Sequence, residues 1–241
     1  MTNTSENKAK IPDIETMFKT GMHFGHKTSK WHPKMKPYIF IKKDNIHIIN
    51  LAKTEEKLRE AVEFSKTVVS KGGKILFVGI KKQSQSVVMQ YAKDCGMPYM
   101  SGKWIGGLLT NFSNIIKSAR RYKMLMKKKT TGELEKYTKK ERSQFDKEIV
   151  KLEKSVGGII EMETFPQAVF LLDMKKAKTA LQEAKTKKLP IIAICDTNSN
   201  PNLVDHPIPA NDDSIKSIEL IVSTISEAIK SAKVGEKKEL N

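Results

Sequence analysis

Residues 72–79 read Gly-Gly-Lys-Ile-Leu-Phe-Val-Gly, and this stretch decides the fold. Its four consecutive apolar residues, Ile75 to Val78, are typical of a strand that is buried on both faces. The two glycines before them end a helix, because the apolar residues from Leu58 to Val69 keep helical spacing. The spacing from Val87 to Cys95 predicts another helix. Strand and helix therefore alternate, which indicates a parallel α/β architecture.

The same alternation returns in the last third of the chain. Apolar runs predict strands at residues 169–172 and 191–194, and helical spacing predicts helices at 177–184 and 215–229. We therefore predict an α/β fold of the doubly wound type, with a core of roughly five parallel strands and helices on both faces. Nearer the N-terminus, residues 38–41 and 46–49 predict two strands around a turn.

The alternation is interrupted at Asn111. Two apolar stripes at spacings of three and four follow, from Ile115 to Met126 and from Phe145 to Val156. A polar turn near Gly132 joins them, which predicts an inserted antiparallel coiled-coil hairpin. The predicted organisation is a core domain at 1–110 and 157–234, the hairpin at 111–156, and a flexible polar tail at 235–241.

The chain of 241 residues is strongly basic, with a net charge of +17, and the charge is unevenly distributed. Residues 1–156 carry 33 Lys+Arg and 15 Asp+Glu, whereas residues 157–241 carry 11 and 12, so the net charges are +18 and −1. A charge of this size indicates a polyanionic partner. We therefore expect the first two thirds of the chain to form the partner-binding surface.

Several classes of protein are excluded by composition. The two cysteines, Cys95 and Cys195, are far apart, which excludes a disulfide framework and a cysteine-rich zinc site and fits a reducing cytosol. The N-terminal residues lack the apolar core of a signal peptide. No apolar run approaches the roughly 20 residues that span a bilayer. We therefore expect a cytoplasmic protein without a membrane partner.

Residues 21–38 read Gly-Met-His-Phe-Gly-His-Lys-Thr-Ser-Lys-Trp-His-Pro-Lys-Met-Lys-Pro-Tyr, and no acid occurs between Glu15 and Asp44. Cations bind phosphates and flat rings stack on bases, so this basic segment points to nucleic acid. Its candidate RNA-binding residues are Lys27, Lys30, Trp31, His32, Lys34 and Lys36. The indole of Trp31 can anchor the segment to the core or stack on a base, and both interpretations stay open.

The histidines of the segment, His23, His26 and His32, suggest zinc at first sight. Their spacing is not the i, i+4 pair of a helical zinc site, and no cysteine or carboxylate lies near them in sequence. We therefore favour a structural role, in which the ring nitrogens bond to loop backbone or to phosphate.

Two further sets of cations are candidate RNA contacts. Lys81 and Lys82 follow a strand and open a helix, whose N-terminus can hold a phosphate, although the dinucleotide and P-loop fingerprints are both absent. The first arm of the hairpin contributes Lys117, Arg120 and Arg121. No acid occurs between Asp94 and Glu133, so this arm should face the same partner as the basic segment.

Carboxylates end two of the predicted strands. Asp173 and Asp196 follow strands, and Asp212 and Asp213 precede the last helix. In a doubly wound sheet these ends converge on one crevice, where paired carboxylates can hold Mg²⁺ or Zn²⁺. The alternative, which we favour, is that they cap helices and form Asx turns.

Several long motifs, in this order, make the chain similar to the bacterial type of the family of the second protein of the ribosomal small subunit. They occupy residues 21–26, 31–40, 46–49, 73–79, 103–111, 196–198 and 208–213, and the resemblance extends over about residues 12 to 231. It implies a flavodoxin-like domain with an inserted coiled-coil hairpin, and contact with small-subunit ribosomal RNA and neighbouring ribosomal proteins. It also implies a role in docking the large first protein of that subunit, which captures messenger RNA, and no catalysis and no required cofactor.

The resemblance also implies a divalent cation near Asp196 and Asp212. The chain departs from the family at Lys103, where arginine is usual, at Asn200, which replaces a common aspartate, and at Ala210, which replaces a common glycine. We keep Lys103 among the RNA-binding candidates, although lysine cannot make the bidentate phosphate contact of arginine.

The main hypothesis is therefore a structural ribosomal protein that binds RNA by charge and shape, and not a homo-oligomer. The rival is an α/β enzyme that acts on a nucleotide or a phosphorylated metabolite, with Asp173 and Asp196 at the crevice. A third hypothesis is a protein-interaction scaffold that uses the hairpin.

Overall fold

The computed structural model describes residues 11–239, and the side chains of residues 11–233. The helices are α1 (Ile14–Lys19), α2 (Leu51–Val69), α3 (Lys82–Asp94), α4 (Phe112–Thr130), α5 (Lys139–Val156), α6 (Lys178–Thr186) and α7 (Ile215–Glu239). The strands are β1 (Phe24–Lys27), β2 (Ile39–Lys43), β3 (Ile46–Ile49), β4 (Ile75–Gly79), β5 (Tyr99–Ser101), β6 (Ala168–Leu171), β7 (Ile191–Cys195) and β8 (His206–Pro209). The predicted tail at 235–241 lies outside the residues whose side chains are described, as do residues 1–10 of the predicted core domain.

The main sheet has five parallel strands in the order β5-β4-β6-β7-β8. Numbered along the chain within this sheet, the order is 2-1-3-4-5, which is the doubly wound order of flavodoxin-like domains. The prediction of about five parallel strands is confirmed. Sequence reasoning identified β4, β6 and β7 but not the short strands β5 and β8, which lie at the two edges of the sheet.

Alternate residues of the interior strand β4 point into two separate apolar layers. Ile75 and Phe77 pack with helices α2, α3 and α7, whereas Leu76 and Val78 pack with α4, α5 and α6. All five residues of β4 are buried, because the sheet is covered on both faces. The continuous apolar run in the sequence is the direct consequence of this double coverage.

A second, antiparallel sheet has the order β1-β3-β2. Strands β2 and β3 are joined by a tight turn in which Asp44 and Asn45 have φ angles of 49° and 60°. Asparagine and aspartate tolerate this left-handed conformation better than other residues with side chains. Strand β1 was not predicted, since its sequence, Phe-Gly-His-Lys, has little of the β-branched character of a strand.

Helices α4 and α5 interrupt the α/β alternation, as the sequence predicted, and they contact each other. The second helix begins at a capping box, in which Thr138 and Glu141 bond to each other's backbone N–H. Buried residues of α4, among them Ile116 and Tyr122, belong to the same apolar cluster as Leu76 and Val78 of the sheet. These residues of α4 therefore join the helix pair to the apolar core of the main domain.

The long helix α7 packs the apolar side chains of Ile218, Ile221 and Ile225 against the sheet. Among the described residues, no helix combines the length and the apolar character that crossing a membrane requires.

Candidate functional site

Several buried carboxylates lie together near the carboxyl ends of β4, β6 and β7. The strand order reverses between β4 and β6, which is where doubly wound sheets usually have a crevice, and we use that name for this place in the fold. Asp173, Asp196 and Asp212 line it, and each is at most 1% exposed. Buried carboxylates need partners, because an unpaired charge is costly to remove from water.

His26, on β1, supplies one of these partners. Its Nδ1 lies 2.9 Å from Oδ1 of Asp196, and its Nε2 lies 3.4 Å from Oδ2 of Asp213. The backbone N–H of His26 donates to the hydroxyl of Thr197 at 2.8 Å. The hydrogen bond to Asp196 raises the pKa of His26 above its ordinary value, and burial opposes this shift.

Lys81 supplies a second partner. Its Nζ lies 2.6 Å from Oδ1 of Asp212 and 3.0 Å from Oδ1 of Asp213. Burial lowers the pKa of Lys81, but the two carboxylates outweigh it and the pKa is raised. Burial, with the nearby charge of Asp196, raises the pKa of Asp212 to about 7. The other oxygen of Asp212, Oδ2, is buried and has no hydrogen-bond partner among the described residues.

Asp173 has a different role from the other carboxylates. Its Oδ2 accepts from the backbone N–H groups of Ile80 and Lys81 at 3.4 and 3.2 Å, and its Oδ1 accepts from Lys176 N–H at 2.9 Å. Burial raises the pKa of Asp173, against the effect of these hydrogen bonds. This carboxylate fixes the turn after β4, which is the capping role that the sequence favoured.

Four residues of the crevice could together hold a metal ion: His26, Asp196, Asp212 and Asp213. One ligand atom from each residue lies within 4.8 Å of the ligand atoms of the others. Among the described residues, no other group of three or more such side chains is close enough to hold a metal ion. Sequence reasoning named Asp196 and Asp212 and set His26 aside, because no carboxylate lies near it in sequence. The carboxylate partners of His26 come from the other end of the chain, so no local signal could have revealed them.

The basic segment at residues 21–38 is attached to this crevice. His32 N–H donates to the carbonyl oxygen of Thr197 at 2.8 Å, and Met35 is completely buried. His32 Nδ1 in turn accepts from Lys34 N–H at 3.2 Å and begins a short 3₁₀ turn. Trp31 is half-buried, with its ring centroid 5.0 Å from that of His47. His32 thus has a structural role, and Trp31 packs while part of its ring stays exposed.

The lysines of the segment point to solvent. Lys27, Lys30, Lys34 and Lys36 are all exposed, and none forms an ion pair with any residue that the structure describes. The cations of α2 differ, since Lys53, Lys57, Arg59 and Lys66 each lie within 3.1 Å of a glutamate carboxylate on the same helix. The charge of α2 is therefore compensated, whereas that of the basic segment is not.

The remaining predicted cations fall into two groups. Lys82, Lys103, Lys117 and Arg120 are exposed and form no ion pair within the described part of the chain. Arg121, by contrast, is paired with Glu148 of α5 at 3.1 Å, and Lys81 is paired in the crevice. An RNA phosphate would have to compete with these carboxylates for Arg121 and Lys81.

The loop before α4 is bonded to one buried carboxylate, which sequence reasoning did not find. Glu183 of α6 is 8% exposed and accepts hydrogen bonds from the indole of Trp104 and from the backbone of the loop. This contact anchors Trp104 to α6. Glu183 gave no signal, because a lone glutamate on a helix normally faces solvent.

Together the fold and the site define a doubly wound α/β protein with exposed lysines that have no described ion-pair partner, beside a crevice whose carboxylates are only partly compensated by Lys81 and His26. Residues 17–232 match the model of the family described as ribosomal protein S2. The chain is 46% identical to the small ribosomal subunit protein uS2 of Karelsulcia muelleri (strain GWSS) over 217 residues, 90% of this chain and 98% of that protein. It is 47% identical to the protein of that name from Chloroherpeton thalassium over 216 residues, 90% of this chain and 86% of that protein.

The protein of the same name from Salinibacter ruber is 45% identical over 216 residues, 90% of this chain and 68% of that protein. The chain therefore belongs to the ribosomal protein S2 family, as its motifs predicted. It is a structural ribosomal protein, and the rival hypothesis of an α/β enzyme is wrong.

Proposed function

We propose that this protein is a structural constituent of the ribosomal small subunit and binds small-subunit ribosomal RNA by charge. One observation carries the RNA-binding proposal: the exposed lysines of the basic segment have no carboxylate partners among the described residues, whereas the cations of α2 do. Uncompensated cations bind phosphates and release counterions, which is the main source of RNA affinity that does not depend on sequence. The names of the relatives support the small-subunit assignment.

The proposed RNA surface has two parts. The basic segment contributes Lys27, Lys30, Lys34 and Lys36, with Trp31 beside them as a ring on which a base can stack. Helix α4 contributes Lys117 and Arg120, and Lys82 and Lys103 are further candidates. We propose that α4 and α5 act as a coiled-coil hairpin whose first helix faces the RNA.

The proposal extends to protein partners. The motifs imply contact with neighbouring small-subunit proteins and help in docking the large first protein, within the cytoplasm and without self-association. Depletion of this chain from cells should then remove the first protein from small-subunit gradient fractions. Unchanged occupancy of the first protein would contradict the docking role while leaving RNA binding untouched.

Matched variants test the RNA-binding role. Changing Lys27, Lys30, Lys34 and Lys36 to glutamine should weaken binding to small-subunit RNA and flatten its log–log salt dependence by about 3, at about 0.7 to 0.9 for each phosphate that the variant no longer neutralises. The control changes Lys53, Lys57, Arg59 and Lys66 to glutamine, which removes the same formal charge from paired positions. Equal effects in the two variants would show that only net charge matters and would overturn the assigned surface.

We also propose a divalent cation, Mg²⁺ or Zn²⁺, at Asp196 and Asp212, with His26 and Asp213 as further ligands. The buried, unpartnered Oδ2 of Asp212 supports it, and so does the donor set of one imidazole and three carboxylates. Such an ion would neutralise the buried carboxylates and tie β1 to the ends of β7 and β8. The nearby ammonium of Lys81 already neutralises one oxygen of Asp212, so the ion would add to this network.

Metal analysis of the purified chain after dialysis against Zn²⁺ or Mg²⁺ tests this site. About one equivalent should remain bound, and the Asp212→Asn variant should lose it. The control Glu163→Gln changes an exposed acid away from the crevice and should keep the metal. Metal retained by Asp212→Asn, or absent from the unmodified chain, would contradict the proposal.

A further inference from the structure

The carboxylate of Glu183 receives an unusual number of hydrogen bonds. Its Oε1 accepts from the indole N–H of Trp104 at 2.9 Å and from Gly107 N–H at 2.8 Å. Its Oε2 accepts from Leu109 N–H at 2.9 Å, and from the N–H and hydroxyl of Thr110 at 3.2 and 3.3 Å. These five donors saturate the lone pairs of one ionised carboxylate. Burial raises the pKa of Glu183, but the hydrogen bonds outweigh it and lower the pKa below its ordinary value.

All five donors belong to the loop that leads from the edge strand β5 into α4. The other hydrogen bonds that the described residues show for residues 104–111 stay within the loop or enter α4, such as Leu108 N–H to the carbonyl of Ile105. The buried side chains of Leu108 and Leu109 add apolar contact, which holds the loop down but has little directional preference. The direction of the loop is thus set by its bonds to α6.

We infer that Glu183 is a positioning residue, which sets the direction in which α4 and α5 leave the core. Helix α4 begins at Phe112, two residues after the last bonded donor, so a change in the loop is transmitted directly to the helix. The inference rests on the proposed function where it concerns RNA, because Lys117 and Arg120 reach a common RNA surface only if α4 keeps a fixed orientation. The orientation itself does not depend on any RNA.

The charge and the shape of Glu183 make separable contributions. A glutamine in this place keeps one acceptor oxygen, and it presents a donor NH₂ group to the donors that the second oxygen now satisfies. Glu183→Gln should therefore release one half of the loop, either the Leu109 and Thr110 side or the Trp104 and Gly107 side. Glu183→Asp keeps the charge on a shorter side chain and should restore part of the attachment.

Hydrogen exchange and spin-label distances on the full chain test the inference. In Glu183→Gln, backbone amides of the loop should exchange at least about tenfold faster, whereas amides in β4 and β6 keep their protection. Nitroxide labels at K136C, between α4 and α5, and K216C, on α7, should show a broader distance distribution than in the labelled parent chain. Gln182→Ala, an exposed change on the same helix, should alter neither measurement.

RNA binding gives the functional readout. Glu183→Gln should bind small-subunit RNA with a shallower salt dependence than the parent chain, and Glu183→Asp should recover part of the slope. If Glu183→Gln does not fold, Glu183→Asp alone decides by the same distance measurement.

An unchanged distance distribution, or uniformly faster exchange in loop and strands alike, would overturn the inference. A parent chain that fails to bind RNA would instead contradict the proposed function, and the distance measurement would still decide whether Glu183 positions the helices.

Discussion

Single residues in this protein have roles that depend on partners far away in sequence. His26 is the clearest case. Its two ring nitrogens lie within ion-pair distance of Asp196, which follows β7, and of Asp213, which precedes α7. The neighbouring position, Gly25, has no room for a side chain. A Cβ there would collide with the Thr197 side chain and would lie 2.8 Å from the carbonyl oxygen of His47. The approach of β1 to the crevice is close enough to exclude a side chain at this position.

Gly25→Ala should destabilise the protein by about 1–3 kcal/mol, because Thr197 or β3 must move to make room. Gly106→Ala is the matched control, since no atom lies within 4 Å of the added Cβ. Urea unfolding measures both free energies. A destabilisation by Gly106→Ala as large as that by Gly25→Ala would contradict the spatial explanation.

The acid sensitivity of Glu183 is a second prediction at this scale. Its folded-state pKa is lowered from the ordinary value of 4.5, so the ionised carboxylate stabilises the fold above that pH. The stability advantage of the parent chain over Glu183→Gln should be roughly 2 kcal/mol or more at neutral pH, and it should disappear as pH falls below 4.5 through the folded pKa.

Urea unfolding of both proteins from pH 7 to pH 3 measures that difference. The exposed change Glu163→Gln serves as the control and should show no such dependence. A difference between the parent chain and Glu183→Gln that is constant with pH would mean that the charge of Glu183 contributes nothing.

Individual elements differ in whether their charges are compensated. Helix α2 pairs its cations with its own glutamates, which is typical of a solvated helix face. Helix α4 is mixed: Arg121, Lys123 and Lys129 are paired with acids of α5 or of the segment after it, whereas Lys117 and Arg120 have no such partner among the described residues. The acids of α5 and the following segment thus hold some cations of α4 and leave others free for an external anion.

Changing Lys117 and Arg120 to glutamine should therefore weaken RNA binding and lower the salt slope by about 1.5. The control on the same helix changes Lys123 and Lys129 to glutamine, which removes equal charge from positions paired with Glu161 and Asp146. Filter binding at several salt concentrations measures both variants. A larger effect in the control would reverse the assignment of free and paired cations.

For the whole molecule, the two unequally charged parts of the sequence meet in the fold, because His26 and Lys81 of the basic part contact carboxylates of the later third. The basic first two thirds of the chain supply β1, the basic segment and α4, whereas the later third supplies β6 to β8 and the carboxylates of the crevice. Lys81 and His26 compensate part of the charge of the crevice. The exposed lysines without described ion-pair partners are the surface that we propose for RNA.

The four lysines of the basic segment, with Lys117 and Arg120 of α4, form no ion pair with any described residue, and they predict a steep salt dependence for the intact chain. The logarithm of its RNA affinity should fall with the logarithm of salt concentration with a slope of about −4 or steeper. Sedimentation of cell lysate should show the chain with the small subunit at low salt and free of it at high salt. A slope near zero would rule out charge as the basis of binding.

Much of the fold and the carboxylates of the site followed from the sequence, but the pairing of His26 and Lys81 with those carboxylates did not. Apolar runs and helical spacing identified β4, β6, β7 and the long helices, since buried strands and amphipathic helices have periods that can be read locally. Strands β5 and β8 have no such pattern: β5 is three residues long, and β8 contains two prolines. Short edge strands are defined by the neighbour with which they pair.

The sequence by itself determined the doubly wound α/β class, the interruption at α4 and α5, the family and the net positive charge that motivates the proposed RNA surface. Only the tertiary structure decided which charges stay free, because pairing depends on distances between residues remote in the chain. Lys81 and Arg121 are compensated, whereas Lys27 and Arg120 are not compensated by any described residue, although all four look alike in sequence. The physical reason is that periodicity acts over a few residues, whereas a carboxylate neutralises whichever cation the fold brings within a few ångströms.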